Sequence, residues 1–174
     1  MMKFKPALLA GILALACGSG AAKTIEVSQG YGLDFRTQTY TRQSTVVNGQ
    51  TVAYRAYENI VYVANPVDSA YQTINIYIPE AYFNGGSING YTAQTAPIFL
   101  PNQIGGYMPA KAGVPGKGGF GSSKEGQVDA MQVALARGYV VASPSARGRT
   151  AATGKAPAAI VDLKAAVRYL RFND

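Results

Sequence analysis

The feature that most constrains this chain is a change of hydrophobic period part-way along it. In "TINIYIP" (73–79), Ile74, Ile76 and Ile78 alternate with Asn75 and Tyr77, the pattern of a strand with one buried face. Further on, Val128, Met131 and Leu135 recur at helical spacing until Gly138 stops the helix, and "YVVASP" (139–144) follows as a continuous apolar run. Such runs are found inside parallel sheets. A second helix is expected next, opened by Pro157, whose missing N–H suits a first turn. Its apolar stripe is Ala159, Ile160, Leu163, Ala166, Val167 and Leu170, with Asp162, Lys164, Arg168 and Arg171 on the remaining circumference. Antiparallel strands therefore lead into a parallel βαβα array, an α/β class.

Local signals fill in the rest. Residues 23–57 are polar, and Asn48-Gly49 between β-branched residues predicts a tight hairpin whose second arm continues into 59–64. A glycine-rich turn at 84–90 precedes a short strand at 96–100. Ser122 and Glu125, three apart, read as a capping box opening the first helix. Ser122, Ser123, Ser143 and Ser145 read as cap and turn residues, and Arg147, Arg149 and Lys155 fall in the polar loop before the second helix.

The chain begins with a short basic start, an apolar run at 6–16 too short to span a bilayer, and small residues. That is the layout of a secretory signal peptide over 1–22. Cys17 directly follows "LALA", which resembles a bacterial lipoprotein cleavage site and implies anchoring through a lipidated Cys17; cleavage after "GAA", releasing Lys23, is the alternative. With a single cysteine in 174 residues no disulfide forms within the domain, so stability rests on packing. Hydrophobic residues make up 48%, enough for one core. The division expected is a signal segment at 1–22, an N-terminal β extension at 23–57 and an α/β domain at 58–174. The net charge of +7 is scattered without a run of four basic residues, which argues against a nucleic-acid partner.

No histidine occurs anywhere, which removes the usual base for a serine nucleophile and the commonest metal ligand. No serine has glycine both two before and two after it, and no Ser-x-x-Lys is present. The residues thus offer no complete catalytic centre, no Cys/His metal site and no cofactor site. Gly116, Gly118 and Gly121 satisfy G-x-G-x-x-G, but the nearest expected strand ends far upstream and no acidic residue follows at ribose spacing, so a flexible loop is the better reading. The adjacent Gly105 and Gly106, after the strand at 96–100, allow two readings. They form a turn, or their backbone amides face a cleft where a carbonyl oxygen gains charge during acyl transfer.

Four segments, "ENIVYVANPVD", "INIYIPEAYFNGGSINGYTAQTAPIFLPNQIGGYMP", "ALARGYVVASPSARGRT" and "GKAPAAIVDLKAAVRYLRFN", cover most of 58–173. In them the chain resembles the N-terminal half of an α/β-hydrolase, and more narrowly the secreted bacterial tannases and feruloyl-esterase-like hydrolases. The resemblance implies a serine ester hydrolase acting on galloyl or other phenolic esters through an acyl-enzyme. It also implies a small-molecule ester partner, no cofactor, and a secreted or periplasmic location or a cell-envelope lipoprotein. It places Gly105 and Gly106 in the oxyanion-hole loop, with Gln103 and Ile104 departing from the His-Gly-Gly-Gly pattern. It sets nucleophile, acid and histidine beyond Asp174, so a fragment ending there is inactive. Arg147 and Arg149 fall in an "RGRT" turn and are read as structural, holding loops by hydrogen bonds to carbonyls. Alternatives are a prolyl-oligopeptidase-type peptidase or general carboxylesterase of the same fold, and a non-catalytic envelope lipoprotein that binds glycans or aromatic ligands.

Overall fold

The computed structural model describes residues 31–118 and 128–174. The signal segment with Cys17, the pair Ser122 and Glu125, Ser123 and Gly121 lie outside them. Five strands form one mixed sheet in the order β1-β2-β3-β5-β4. They are β1 (Thr41–Val47), β2 (Gln50–Val61), β3 (Thr73–Pro79), β4 (Ile98–Phe99) and β5 (Val140–Pro144), with helices α1 (Ala130–Ala136) and α2 (Lys155–Phe172). The β1–β2 turn forms as its residues dictate: Asn48 and Gly49 take φ of 50° and 79° and set Val47 opposite Gln50.

The parallel part is narrower than the sequence pattern suggests. β5 pairs parallel with β4, but its other neighbour, β3, runs antiparallel to it. One crossover, through α1, joins the parallel pair.

Helices cover both faces. On one, Tyr54, Tyr77 and Val141 pack against Met131, Ala134 and Leu135 of α1; on the other, Ile60, Ile74, Ile76 and Ala142 pack against Ala166 and Tyr169 of α2. The expectation that β3 buries one face is therefore corrected. Asn75 and Tyr77 are as buried as Ile74 and Ile76, because α1 and the segment around Gly113 close over them.

The first helix begins at a different signal from the Ser122/Glu125 box. Asp129 is its N-cap, accepting from the Gln132 amide at 2.8 Å, while Gln132 Oε1 accepts from the Asp129 amide at 2.8 Å. Val128 stands before the cap and is exposed. The stop is where expected, with Gly138 at φ 87°.

The second helix is rotated from its predicted stripe. Ala158, Ala159, Asp162, Ala166 and Tyr169 face the sheet, whereas Ile160 is 57% exposed. Its inward face is made largely of small residues, while Ile160 and Val161 are exposed and Leu163 and Val167 half-buried.

Two measurements check this packing. Asp129→Ala removes one cap and is expected to cost about 1 kcal/mol in urea denaturation. Burial also pushes the hydroxyls of Tyr62 and Tyr77 upward, and that of Tyr169 to about 12. In the unfolded chain tyrosine ionises near about 10. Below that pH both states hold the proton; above it the unfolded state releases it first, so stability falls as pH rises. Denaturation midpoints should be flat from about pH 7 to 9 and drop above about 10, in step with tyrosinate absorbance.

Candidate functional site

The carboxyl ends of the parallel pair β4 and β5 carry two loops that lean on each other. After β5, Ala146 forms an antiparallel bridge with Ala110, and the Arg149 amide donates to the Tyr107 carbonyl at 2.7 Å. Between them Gly148 is pressed against the other loop: a Cβ there would sit 2.2 Å from the Pro109 nitrogen. Only glycine fits this crossing.

The loop so held contains Gly105 and Gly106. The Met108 amide donates to the Gly105 carbonyl at 3.0 Å, and Gly106 and Tyr107 take φ of 57° and 59°, so residues 105–108 form a reverse turn with two left-handed central positions. Tyrosine rarely adopts that conformation and holds it at some cost in strain. Among the described residues the amides of Gly105 and Gly106 donate to no acceptor, and Gly106 is exposed. Of the two readings of the sequence, the turn is the one these residues display, and it lies beside the loop that follows β5.

Beneath the loops lies a buried ion pair that the sequence reading missed. The Asp162 carboxylate has no exposed surface. It accepts from Arg147 Nε at 2.9 Å, Arg147 Nη2 at 2.8 Å and the Arg147 amide at 2.9 Å, and from Gln72 Nε2 at 2.8 Å. The hydrogen bond to Asp162 raises the pKa of Arg147 further above its ordinary value. Arg147 is structural as expected, but through a carboxylate rather than carbonyls. By its charge alone Asp162 belongs on the polar face of the helix. Its spacing of four from both Ala158 and Ala166 was the available signal, since it puts the acid in line with the smallest residues of the helix.

Ser143 and Ser145 are not caps. Ser143 Oγ donates to the Pro101 carbonyl at 2.9 Å and accepts from the Gly113 amide at 2.9 Å. Ser145 Oγ bonds both the amide and the carbonyl of Thr73, at 3.0 and 2.9 Å. Both are fully buried ties between β5 and the segments beside it. Among the described residues no group of three or more acidic, histidine or cysteine side chains could hold a metal ion. Nor is any described helix long and apolar enough to cross a membrane.

Comparison with known proteins places this arrangement. No family model matches the chain, and no curated protein matches it. Solved structures do. The tannase of Fusobacterium nucleatum is 52% identical over 82% of this chain, with a TM-score of 0.76, and the chain covers 30% of it. A tannase from Lactobacillus plantarum is 39% identical over 82% of the chain, with a TM-score of 0.69 and 31% of its own length covered. A tannin acyl hydrolase solved with 3,4-dihydroxybenzoate is 41% identical over 77%, with a TM-score of 0.66 and 30% covered. The chain therefore spans under a third of the length of these structures.

The buried pair gives a direct test. Asp162→Asn leaves the Arg147 charge buried and should cost about 3–5 kcal/mol in chemical denaturation. Asp34→Asn, at a pair with Arg36 whose side chains are 42% and 89% exposed, should leave the midpoint nearly unchanged.

Proposed function

This chain is a relative of the tannases, and on that premise we propose that it forms the N-terminal part of an extracytoplasmic serine ester hydrolase cleaving galloyl or other phenolic esters. In this reading residues 1–22 direct export, Cys17 is the candidate lipid attachment point, 23–57 form a β extension and 58–174 begin the hydrolase domain.

The observation that carries the reading is the turn at residues 105–108. It lies at the carboxyl ends of β4 and β5, with Gly105 and Gly106 amides that find no acceptor among the described residues. When a hydroxyl oxygen attacks an ester carbonyl carbon, the carbonyl oxygen becomes an oxyanion, and preorganised N–H groups stabilise it. Each such donor is worth roughly 3–4 kcal/mol of barrier. Gly105 and Gly106 are the proposed donors. The absence of a Cβ lets the reacting ester come close to the main chain.

The nucleophile would arrive on a further strand. β4 pairs on one side only, and the groove of about 230 Å³ between it and α2 is lined by Ile98, Leu100, Val167 and Leu170. Ile98 is 49% exposed there. A strand added parallel to β4 would cover this apolar surface and end beside the glycine turn. A Gly-x-Ser-x-Gly turn at that end would aim its serine at the same carbonyl. The serine proton would pass to a histidine, the alcohol would leave, and water would release the acid from the acyl-enzyme. In this reading serine, acid and histidine would be supplied by polypeptide beyond Asp174.

The test has two parts. The reading frame after Asp174 is expected to encode Gly-x-Ser-x-Gly close by and a histidine later, and the completed protein should hydrolyse methyl gallate while the 174-residue chain does not. A frame lacking both motif and histidine, or turnover by this chain alone, would overturn the proposal.

A further inference from the structure

A second concavity lies on the β2–β3 side of the sheet, clear of the 105–108 turn. Its volume is about 650 Å³, within the range of small-molecule sites. One wall is an irregularity in the sheet. The register of β2 against β3 shifts between Tyr57 and Ile60, and Asn59 takes φ 60°, its amide held by Asn75 Oδ1 at 2.8 Å. Bulges of this kind re-aim side chains. Here Glu58 lines the cavity, with one carboxylate oxygen accepting from the Tyr77 hydroxyl at 3.0 Å.

The facing wall is the segment at 111–117, which carries Lys111 and Lys117. It is pinned at its centre. The Gly113 amide donates to Ser143 Oγ at 2.9 Å, and its carbonyl accepts from Asn75 Nδ2 at 3.1 Å and lies 3.2 Å from the Tyr77 hydroxyl, whose single proton it shares with Glu58. A Cβ on Gly113 would lie 2.8 Å from Gln103 Nε2 and 3.0 Å from Ser143 Oγ, so the backbone runs close against its neighbours here. Near its end the Gly116 amide donates to the Asp129 carboxylate at 2.7 Å. Lys111 is itself fixed: its ammonium donates to the Ala70 carbonyl and stands 3.7 Å from the centre of the Tyr71 ring.

The two walls carry opposite charge and do not neutralise each other. The ion pairs of the described residues are formed by Arg36, Arg42, Arg55 and Arg147, and neither lysine comes within 4.0 Å of Glu58. A simple anion in this cavity would meet the Glu58 carboxylate, and a simple cation would meet two ammonium groups. A neutral molecule with adjacent hydroxyls suits both walls, because each hydroxyl can donate to a carboxylate and accept from an ammonium at once.

We propose that the cavity between the β2–β3 bulge and the segment at 111–117 binds a polyhydroxylated ligand through adjacent hydroxyls, with Glu58 accepting and Lys111 and Lys117 donating. The site is independent of the hydrolase reading, sharing no residue with the glycine turn. Adjacent hydroxyls occur on a sugar ring and on a catechol ring, and the experiment separates these sources. The 174-residue chain is titrated with methyl glucoside, with catechol and with 1,4-cyclohexanediol, following amide shifts by NMR. At least one of the first two should bind at millimolar concentration, with shifts gathered at 58–59 and 111–117, and the separated diol should not. Glu58→Gln and Lys117→Met, both at exposed positions, should each weaken binding about tenfold while leaving the urea midpoint at the wild-type value. Binding of the glucoside alone assigns a carbohydrate, and binding of catechol alone a phenolic ligand. Failure of both, or binding that survives both substitutions, overturns the site.

Discussion

The Arg147–Asp162 pair fixes how the second helix meets the sheet. Burying two charges is unfavourable unless the geometry is close to ideal and the remaining lone pairs are filled. Here both conditions hold: the guanidinium meets the carboxylate in a fork, and the Arg147 amide and Gln72 occupy its other positions. Because Asp162 must point at the loop after β5, Ala158 and Ala166, one turn to either side, must face the sheet as well. With that face turned inward, Ile160 and Val161 fall on the exposed side of α2.

The same pair sets the loop that supports the glycine turn. Arg147 is held at both its backbone and its side chain, and Gly148 and Arg149 follow immediately to meet Tyr107 and Pro109. A salt bridge on one face of the sheet thus defines the position of a turn at its edge, through three consecutive residues. Ser143 and Ser145 extend this frame, one reaching Pro101 and Gly113 and the other Thr73. Short hydroxyl side chains suit the task, since a buried carbonyl or amide beside a strand end needs a partner and there is little room for one.

Much of the fold was legible in the residues. Asn48-Gly49, the Gly138 stop and the apolar run at 139–144 each encode their structure locally, through positive φ or through a period that only one element satisfies. The glycine pair was legible as a special piece of main chain. Less was visible where a residue's environment comes from distant segments. Asp129 and Gln132 formed the capping box that Ser122 and Glu125 were expected to form, although both spacings fit the same motif. Ser143 and Ser145 look like turn formers because hydroxyls often serve there, and Asn75 and Tyr77 look solvent-facing because alternation in a strand cannot report a second covering layer.

The sequence by itself determined which segments are strands and helices, the places where the chain turns, and the presence of unencumbered main chain at Gly105 and Gly106, because these follow from dihedral preferences and local period. Only the tertiary structure decided that Asp162 is buried, that α2 turns its alanines inward and leaves Ile160 outside, and that Glu58 and two lysines share one cavity. Those outcomes depend on pairing across long separations, as between Gln72 and Asp162. A charge looks solvent-exposed until its partner, many residues away in sequence, is brought against it by the fold.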